Sequence, residues 1–334
     1  MHPYGTADDD LNQDLSFLWD NALSKSTLAT YASALSSFLT FLAISAIVPA
    51  WPPYTLPDIS EQIVIRYVAY CQHSLHLRYD SIKLYLAGIR FHYIKRRNCD
   101  ILKNNLQLNY ILRAVKKTQN NTKGVRLPIT FSILSDICFA LSTGMLSPFL
   151  DLMYSCVFTT AFYGFLRCGE FTYSNSSTCY LQICDVIVLQ DQSMFTLTLR
   201  TSKMDPFASG VDIPIFNTSP LYPVNIMAKY LARRRACGSQ PNSPLFLDAL
   251  FSNSPLSRST YIRNLKTILS RIGYDDSSFN GHSFRIGACT SGAAGGVEDH
   301  MLQVLGRWKS ACYTRYIHTQ LPTIHRSQQL MNSN

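Results

Sequence analysis

The stretch "FYGFLRCGEF", residues 162–171, ends a strongly apolar segment with an arginine and places a glutamate three positions later. A guanidinium group at the end of an apolar helix needs an anionic partner or an exit to solvent, because an unpaired buried charge is costly. Glu170 can be that partner for Arg167, since carboxylates match the planar fork of an arginine. An ion pair that serves the fold alone is the simplest interpretation of this stretch.

The composition of the chain indicates a basic protein of two domains. The chain has 334 residues, a length that suggests two domains, and 47% of the residues are hydrophobic, which is enough to build a core. It carries 30 lysines and arginines against 21 aspartates and glutamates, a formal net charge of +9. A positive field of this size favours a polyanionic partner, such as a phosphate backbone.

The ten cysteines are scattered, with no Cys-x-x-Cys pair and no Cys/His cluster at zinc spacing. We expect reduced thiols in an intracellular protein, also because no apolar stretch at the N-terminus resembles a secretory signal. The apolar region 138–166 contains Ser147 and Pro148, which favour two buried helices joined by a turn over a membrane span. The sequence thus predicts no metal site and no membrane partner.

Helical periodicity dominates the first third of the chain. Residues 1–13 are polar and acidic, and we predict a mobile tail there. Apolar residues then recur at intervals of three and four through residues 14–115, which predicts an all-helical unit. Residues 116–128, "KKTQNNTKGVRLP", are basic and weakly patterned, and they predict a linker.

Residues 129–334 are predicted to form a second unit of the α+β class. Helices are expected near residues 131–142 and 147–165, and again over most of the chain after the strands. The runs "MFTLTLR" and "GVDIPIF" flank the turn "SKMDPFASG", so they predict a β-hairpin with Lys203 near its tip. The fold class expected for the whole chain is mostly α with a small β-sheet.

Two further stretches of this unit carry chemically capable side chains. In "NGHSFRIGACTSGAAGG", residues 280–296, His282 and Arg285 stand three apart at an expected helix start and share one face, and the small residues after them let another backbone come close. In "GRWKSACYTRYIH", residues 306–318, Trp308 precedes two tyrosines. Aromatic residues at helical spacing usually pack in a core, so each stretch alone favours a structural role.

The chain resembles the tyrosine recombinases, the phage-integrase-like enzymes, in an ordered set of residues: Arg167, Lys203, His282, Arg285, Trp308 and a terminal tyrosine. Residues 14–115 resemble the family's helical, SAM-like core-binding domain, and residues from 129 resemble its catalytic domain. "FYGFLRCGEF" is similar to the family's first-arginine motif, and the interval of 26 residues from His282 to Trp308 agrees with the family. "RLPIT", "SKMDPF" and "GRWKSACYTRYI" look most similar to recombinases of eukaryotic mobile elements of the Crypton and DIRS type.

The resemblance implies metal-independent cleavage and rejoining of DNA through a 3′-phosphotyrosyl intermediate, with no cofactor. The two arginines would clamp the scissile phosphate, because fixed cations stabilise the charge that develops on its oxygens. Glu170 would orient the first arginine. Lys203 would protonate the departing 5′ oxygen, and His282 and Trp308 would donate hydrogen bonds to the phosphate or position the nucleophile.

Tyr316 is the predicted nucleophile. Tyr313 and Tyr316 would lie on roughly one helix face, so periodicity does not choose between them. The family's nucleophile usually lies nine residues after the position of Trp308, and Tyr316 lies eight residues after it, whereas Tyr313 lies five after it. Tyr313 would then be a packing residue or a backup contact.

Double-stranded DNA is the expected partner, and a homotetramer on paired DNA sites is the expected assembly. The resemblance to mobile-element enzymes also implies DNA integration and a nuclear location. The run 233–235 is one candidate for phosphate contact. The other basic positions expected to contact phosphates are Lys95, Arg96, Arg97, Lys116, Lys117, Lys123 and Arg126.

Two other functions stay open. A domesticated, non-catalytic DNA-binding protein could retain the same fold, although the unbroken catalytic set argues against it. A type IB topoisomerase uses similar phosphotyrosyl chemistry. Strand exchange between two labelled sites, as opposed to relaxation of a supercoiled plasmid alone, would distinguish a recombinase from it.

Overall fold

The computed structural model describes residues 5–46, 56–119, 126–173, 180–200, 209–249, 252–317 and 328–329. The chain divides into two compact units, Met1–Lys123 and Gly124–Asn334. The predicted fold class is confirmed, because the described residues are mostly helical and contain one small, three-stranded sheet.

The secondary structure described for the first unit is all helical. Its helices are α1 (Gly5–Asn21), α2 (Lys25–Ile44), α3 (Glu61–His73), α4 (Tyr79–Arg97) and α5 (Leu106–Thr118). Helices α2 and α4 approach closely at Gly88, where a Cβ would lie 2.9 Å from the Cα of Tyr31. The buried side chains of Phe38, Tyr67 and Ile82 belong to the core that holds this unit together.

Helix α2 begins after a serine that caps it. The Ser24 side chain accepts a hydrogen bond from the Thr27 main-chain N–H at 3.2 Å and thereby caps the helix. By length and composition alone this helix is apolar enough to cross a membrane. Core helices of globular proteins pass the same test, and Phe38 and Leu42 of α2 are buried in the core of the unit.

Two helix boundaries of the first unit differ from the prediction. Helix α1 begins at Gly5, inside the predicted tail, because the helical spacing of Leu11, Leu15 and Leu18 follows directly on the acidic run. Helix α5 continues into the predicted linker and carries Lys116 and Lys117 in its last turn. Cations at that end of a helix interact favourably with the helix dipole, which explains the extension.

The second unit combines helices with the sheet. Its elements are α6 (Phe131–Ser142), α7 (Pro148–Tyr163), α8 (Cys168–Phe171), β1 (Val186–Val188), β2 (Met194–Leu199), β3 (Val211–Phe216), α9 (Pro223–Ala236), α10 (Arg258–Arg271), α11 (Ser283–Ala294), α12 (Asp299–Leu305) and a final 3-10 helix, Ala311–Tyr316. Ser147 caps α7 and Pro148 occupies its first turn, so the predicted Ser-Pro turn between α6 and α7 is confirmed.

The sheet is antiparallel, with β2 in its centre. Strands β2 and β3 pair with Phe195 opposite Ile215 and Leu197 opposite Ile213, and all four side chains are buried. The alternating pattern of the two strands places these residues on one face, toward the core. The predicted hairpin is confirmed by this pairing.

Helix α11 runs through the core of the second unit and positions the candidate site. Phe284 stacks on Phe158 of α7 with ring centroids 5.0 Å apart. The main chain of Ile129 packs against this helix at Gly287, where a Cβ would overlap the Ile129 carbonyl. The main-chain N–H of Ile129 donates a hydrogen bond to the Ser283 carbonyl at 2.9 Å. The small residues of this helix therefore admit another backbone, as the sequence predicts.

Candidate active site

Arg285 lies near the start of α11, in the interior of the second unit. Its side chain is 1% exposed. Its two terminal nitrogens donate hydrogen bonds to the main-chain carbonyls of Phe165 and Gly306. The indole of Trp308 lies against the guanidinium group, with 4.4 Å between the ring centroid and Cζ, which is within cation–π range. Arg285 thus connects the stretch at 162–171 with the stretch at 306–318.

The charge of Arg285 lies in an unfavourable environment. Burial, followed by the positive charge of Arg167, lowers the pKa of the Arg285 guanidinium to about 9, although the Glu170 carboxylate opposes the shift. At neutral pH the group is still protonated, so the site holds a buried positive charge beside other positive charges. Binding of an anion would stabilise this arrangement.

Arg167 and Glu170 form the ion pair that their spacing suggests. Arg167 Nη1 lies 2.8 Å from Glu170 Oε1, and the Arg167 main-chain N–H donates to Glu170 Oε2 at 2.8 Å. The Glu170 side chain is 4% exposed, whereas that of Arg167 is 18% exposed. The buried carboxylate therefore fixes an arginine that solvent, or a ligand, can still reach.

Arg307 also contacts Glu170, a contact that was not predicted from the sequence. Its Nη2 lies 2.9 Å from Glu170 Oε2, and its Nη1 donates to the Gly164 carbonyl at 2.9 Å. Only a weak indication of this contact is present in the sequence. Glu170 has a second carboxylate oxygen that can accept from another cation, and Arg307 directly precedes Trp308. Two arginines therefore share one carboxylate at this site.

His282 occupies the N-cap position of α11 and is partly buried. Burial, followed by the positive charges of Arg126 and Arg258, lowers the pKa of its imidazole below the ordinary value of 6.5. The imidazole is therefore neutral at pH 7 and can accept as well as donate a hydrogen bond. Arg258, at the exposed start of α10, is a second basic residue near the site that was not predicted from the sequence.

Trp308 contacts both candidate tyrosines. Its ring stacks with Tyr316 at a centroid distance of 5.5 Å and an interplanar angle of 24°, and it lies 5.9 Å from the ring of Tyr313. Both tyrosines belong to the final 3-10 helix, in which residues three apart lie in register on one side. The Thr290 hydroxyl of α11 donates to the Tyr316 carbonyl at 2.9 Å and so anchors this helix.

The environments of the two tyrosines differ. Tyr313 is buried, and burial, followed by the charge of Asp299, raises the pKa of its phenol, which disfavours a phenolate there. Tyr316 is partly exposed, and its phenol is close enough to Arg285 for the two groups to interact electrostatically. The geometry favours Tyr316 as the nucleophile, and its role stays a prediction.

The prediction for Lys203 falls outside the described residues. The strands on either side of it, β2 and β3, are described and paired. Lys123, a predicted phosphate contact, also lies outside the described residues. Both roles stay predictions.

The basic end of α4 in the first unit is partly neutralised within the chain. Lys95 forms an ion pair with Asp20 at 2.8 Å, and Arg97 forms one with Asp58 at 2.6 Å. Arg96 is exposed. Exposed positions that a phosphate could also reach are Lys116, Lys117 and Arg126.

The basic run at 233–235 needs a correction. Arg234 is 3% exposed and donates to the Leu245 carbonyl at 2.8 Å and to the Tyr230 hydroxyl at 3.2 Å. It is a structural residue of the core, because helical periodicity turns the middle of the run inward. Arg233 and Arg235 are exposed.

Metal ligands are not clustered in the part of the chain that the structure describes. No group of three or more histidine, cysteine, aspartate or glutamate residues is found there that could hold a metal ion. The acidic groups that act on the described site residues include Glu170, which pairs with Arg167 and Arg307, and Asp299, which acts on Tyr313.

No family model and no curated protein sequence matches the chain. Solved structures do match in fold. XerH site-specific recombinase bound to palindromic difH substrate matches with a TM-score of 0.65 and 15% identity, over 91% of this chain and 79% of that chain. Tn1549 transposon integrase bound to transposon right end DNA matches with a TM-score of 0.55 and 12% identity, over 92% of this chain and 99% of that chain. A lambda integrase dimer bound to a COC′ core site matches with a TM-score of 0.52 and 18% identity, over 92% of this chain and 94% of that chain. The fold matches that of tyrosine recombinase catalytic domains.

Proposed function

We propose that the chain cleaves and rejoins DNA as a tyrosine recombinase, with covalent attachment of the DNA 3′-phosphate to Tyr316. The observation that carries the proposal is the meeting of three distant stretches of sequence around the start of α11. Arg285 donates to the carbonyls of Phe165 and Gly306, and the Trp308 ring contacts both Arg285 and Tyr316. The likeness in fold to DNA-bound recombinases and integrases supports the same function.

In the proposed reaction the hydroxyl oxygen of Tyr316 attacks the scissile phosphorus, and the bond from phosphorus to the 5′ oxygen breaks. Lys203 gives a proton to the departing 5′ oxygen, and the phenolic proton passes to solvent or to the neutral imidazole of His282. Arginine charges stabilise the oxygens of the phosphorane-like transition state. The phosphotyrosine conserves the bond, so the 5′-hydroxyl of another strand can reverse the step without a nucleotide cofactor.

The surroundings of the chemistry fit a polyanionic substrate. Arg167 and Arg307 share the single carboxylate of Glu170, and their charges act on the buried Arg285. Arg126 and Arg258 add positive charge on the side of His282. A phosphodiester brings the negative charge that this arrangement lacks.

We further propose that the chain serves DNA integration of a eukaryotic mobile element of the Crypton or DIRS type. It would act in the nucleus as a homotetramer on paired DNA sites. Three observations support this proposal: the residues of the motifs "RLPIT", "SKMDPF" and "GRWKSACYTRYI", the net charge of +9, and the presence of a transposon integrase among the proteins of similar fold. Strand exchange between two labelled sites, with the complex sized by light scattering, tests this assignment.

One observation favours a second candidate function, a DNA-binding protein that retains the fold without cleaving DNA. The Arg285 side chain is 1% exposed and its terminal nitrogens are engaged by carbonyls. A phosphate can contact this guanidinium only after it has been uncovered. A chain that never uncovers Arg285 would bind DNA and leave it intact.

A nicked suicide substrate separates the two candidates. The substrate carries candidate terminal-repeat DNA and loses a short 5′-hydroxyl fragment on cleavage, so the covalent adduct accumulates. We expect adducts from the wild type and from Tyr313→Phe, but none from Tyr316→Phe, with DNA affinity nearly equal in all three. Adducts from Tyr316→Phe would overturn the nucleophile assignment, and tight binding with no adduct from the wild type would favour the non-catalytic candidate.

A further inference from the structure

Three consecutive residues, Gly306, Arg307 and Trp308, contact either Arg285 or the carboxylate that holds Arg167. The Gly306 carbonyl accepts a hydrogen bond from Arg285, and the Trp308 ring covers the Arg285 guanidinium. Arg307, between them, contacts Glu170 instead. This short segment therefore reaches Arg285 directly and Arg167 through the carboxylate.

The contacts of Arg307 bind it to the loop that carries Arg167. Its Nη1 donates to the Gly164 carbonyl at 2.9 Å, and its Nη2 lies 2.9 Å from Glu170 Oε2 and 3.5 Å from the Phe165 carbonyl. The Phe165 carbonyl also accepts from Arg285. Arg307 thus fixes the same short loop that the two predicted phosphate-clamping arginines use.

The backbone of Arg307 is held in a conformation that favours glycine. Its φ is +54°, the left-handed conformation in which helices commonly end: Arg307 follows the end of α12, and the Trp308 N–H donates to the Gln303 carbonyl at 3.0 Å. Within the described part of the chain its Nε is buried without a hydrogen-bond partner. A helix end of this kind favours glycine, yet the residue here is an arginine whose side chain reaches Glu170 and the carbonyls of Gly164 and Phe165.

The division of the Glu170 carboxylate is the chemically important feature. Oε1 faces Arg167 Nη1, and Oε2 faces Arg307 Nη2 as well as the Arg167 main-chain N–H. One negative charge cannot neutralise two guanidinium groups. Arg307 therefore holds the carboxylate in place and leaves part of the positive charge of Arg167 uncompensated, as contact with a phosphate oxygen requires.

We propose that Arg307 is a positioning residue of the active site, which acts on Arg167 through Glu170 and does not itself touch the scissile phosphate. The proposal rests on the proposed DNA cleavage. It assigns to the residue before Trp308 the task of orienting the arginine of a loop more than a hundred residues away in sequence.

The test compares two variants of Arg307 with a matched control. Arg307→Gly removes the side chain and tolerates the positive φ, Arg307→Lys keeps the charge, and Lys309→Ala removes an exposed cation two residues away. We expect Arg307→Gly to slow adduct formation by about 100-fold at saturating protein, since small errors in positioning cost factors of this size. Arg307→Lys should recover only part of the rate, because one ammonium group cannot reproduce the planar fork. Lys309→Ala should cleave at the wild-type rate.

A double-variant cycle with Glu170→Gln separates positioning from a structural role. If Arg307 acts through Glu170, Arg307→Gly should slow cleavage much less in the Glu170→Gln background than in the wild type. DNA dissociation constants from anisotropy and melting temperatures accompany each rate. An equal factor in both backgrounds, together with a lower melting temperature, would show a structural role and overturn the proposal.

The outcomes also separate this proposal from the proposed function. Adducts from the wild type and undiminished adducts from Arg307→Gly would remove the role of Arg307 and leave the recombinase function intact. If the wild type forms no adduct on any substrate that it binds, the function falls, and the positioning role falls with it.

Discussion

Arg234 and Arg285 are both buried arginines of the second unit that donate to main-chain carbonyls, yet their surroundings differ. Arg234 is 3% exposed and meets neutral acceptors, the Leu245 carbonyl and the Tyr230 hydroxyl. Arg285 is 1% exposed and has the charges of Arg167 and Arg307 close by. Burial alone therefore does not distinguish the two arginines, whereas the presence of further cations nearby does.

The difference between Arg234 and Arg285 suggests a reason why several guanidinium groups gather around Glu170. A single buried guanidinium with neutral acceptors satisfies its hydrogen bonds and can be a structural residue. Several guanidinium groups around one carboxylate repel one another, and the lowered pKa of Arg285 records the repulsion together with burial. Such an arrangement is typical of a site that binds an anion.

The largest expected effect comes from removing each buried arginine in turn. Arg285→Met should slow adduct formation by about 1,000-fold, the upper range for loss of one charged group that stabilises a transition state. Arg234→Met should leave the cleavage rate of the folded protein within about 3-fold of the wild type, because no reacting atom depends on it. Suicide-substrate kinetics at a temperature where both variants are folded provide the measurement.

The stability of the two variants serves as the control. Arg285→Met leaves the buried Gly306 carbonyl without that donor and should lose about 3 kcal/mol in the free energy of unfolding, whereas Arg234→Met should lose about 2 kcal/mol, because the Tyr230 hydroxyl still donates to the Leu245 carbonyl at 2.7 Å. Denaturant titration measures this loss. Equal cleavage by the two folded variants would contradict the distinction between a structural and a functional arginine.

A smaller effect is expected on the titration of His282. The charge of Arg126 lowers its pKa, so Arg126→Ala should raise that pKa toward 6.5, whereas Arg233→Ala on α9 should not change it. NMR titration of the imidazole measures both. An unchanged His282 pKa in Arg126→Ala would mean that the charge of Arg126 does not act on the imidazole at the start of α11.

The lowered pKa of His282 also gives stability a definite pH dependence. The unfolded chain takes up the proton at higher pH than the folded chain does, so the contribution of His282 is fully present above about pH 6.5 and is lost as the pH falls through the folded value. Because Arg126→Ala raises the folded pKa, it should reduce this loss of stability in acid. Thermal melts at pH 7.5 and pH 5.5 check the sign.

The smallest effect concerns the basic end of α4 in the first unit. Lys95 is paired with Asp20, whereas Arg96 forms no ion pair with a residue that the structure describes. Lys95→Ala should therefore weaken DNA binding by about 2-fold and Arg96→Ala by about 5-fold, with a shallower salt dependence for Arg96→Ala. Anisotropy titrations at several salt concentrations distinguish them. A greater loss from Lys95→Ala would indicate that its ion pair opens on DNA.

Much of the fold could be predicted from the sequence, because local patterns decide it. The cap at Ser24, the Ser147–Pro148 turn and the hairpin of β2 and β3 each follow from residues close together in the chain. The boundaries at Gly5 and Thr118 could not, since the composition of a segment hides a helix whose ends are polar or basic.

The candidate site was less predictable, because its geometry depends on contacts between distant stretches. The spacing of Arg167 and Glu170 indicates their pairing, but nothing local shows that Arg307 takes the second carboxylate oxygen. The burial of Arg285 beneath Trp308 was likewise unexpected for a residue predicted to clamp a phosphate. Periodicity could not separate Tyr313 from Tyr316; their exposure differs in the structure, and the choice of Tyr316 as the nucleophile stays a prediction.

Location of the covalent bond tests the central claim most directly. Trypsin cuts after Lys309 and Arg315, so it places Tyr313 in the peptide 310–315 and Tyr316 in the peptide that begins at residue 316. The adduct trapped on a suicide substrate is digested with nuclease and trypsin, and the peptides are sequenced by mass spectrometry. We predict the nucleotide remnant on Tyr316. A remnant on Tyr313, or on any other residue, would contradict the account.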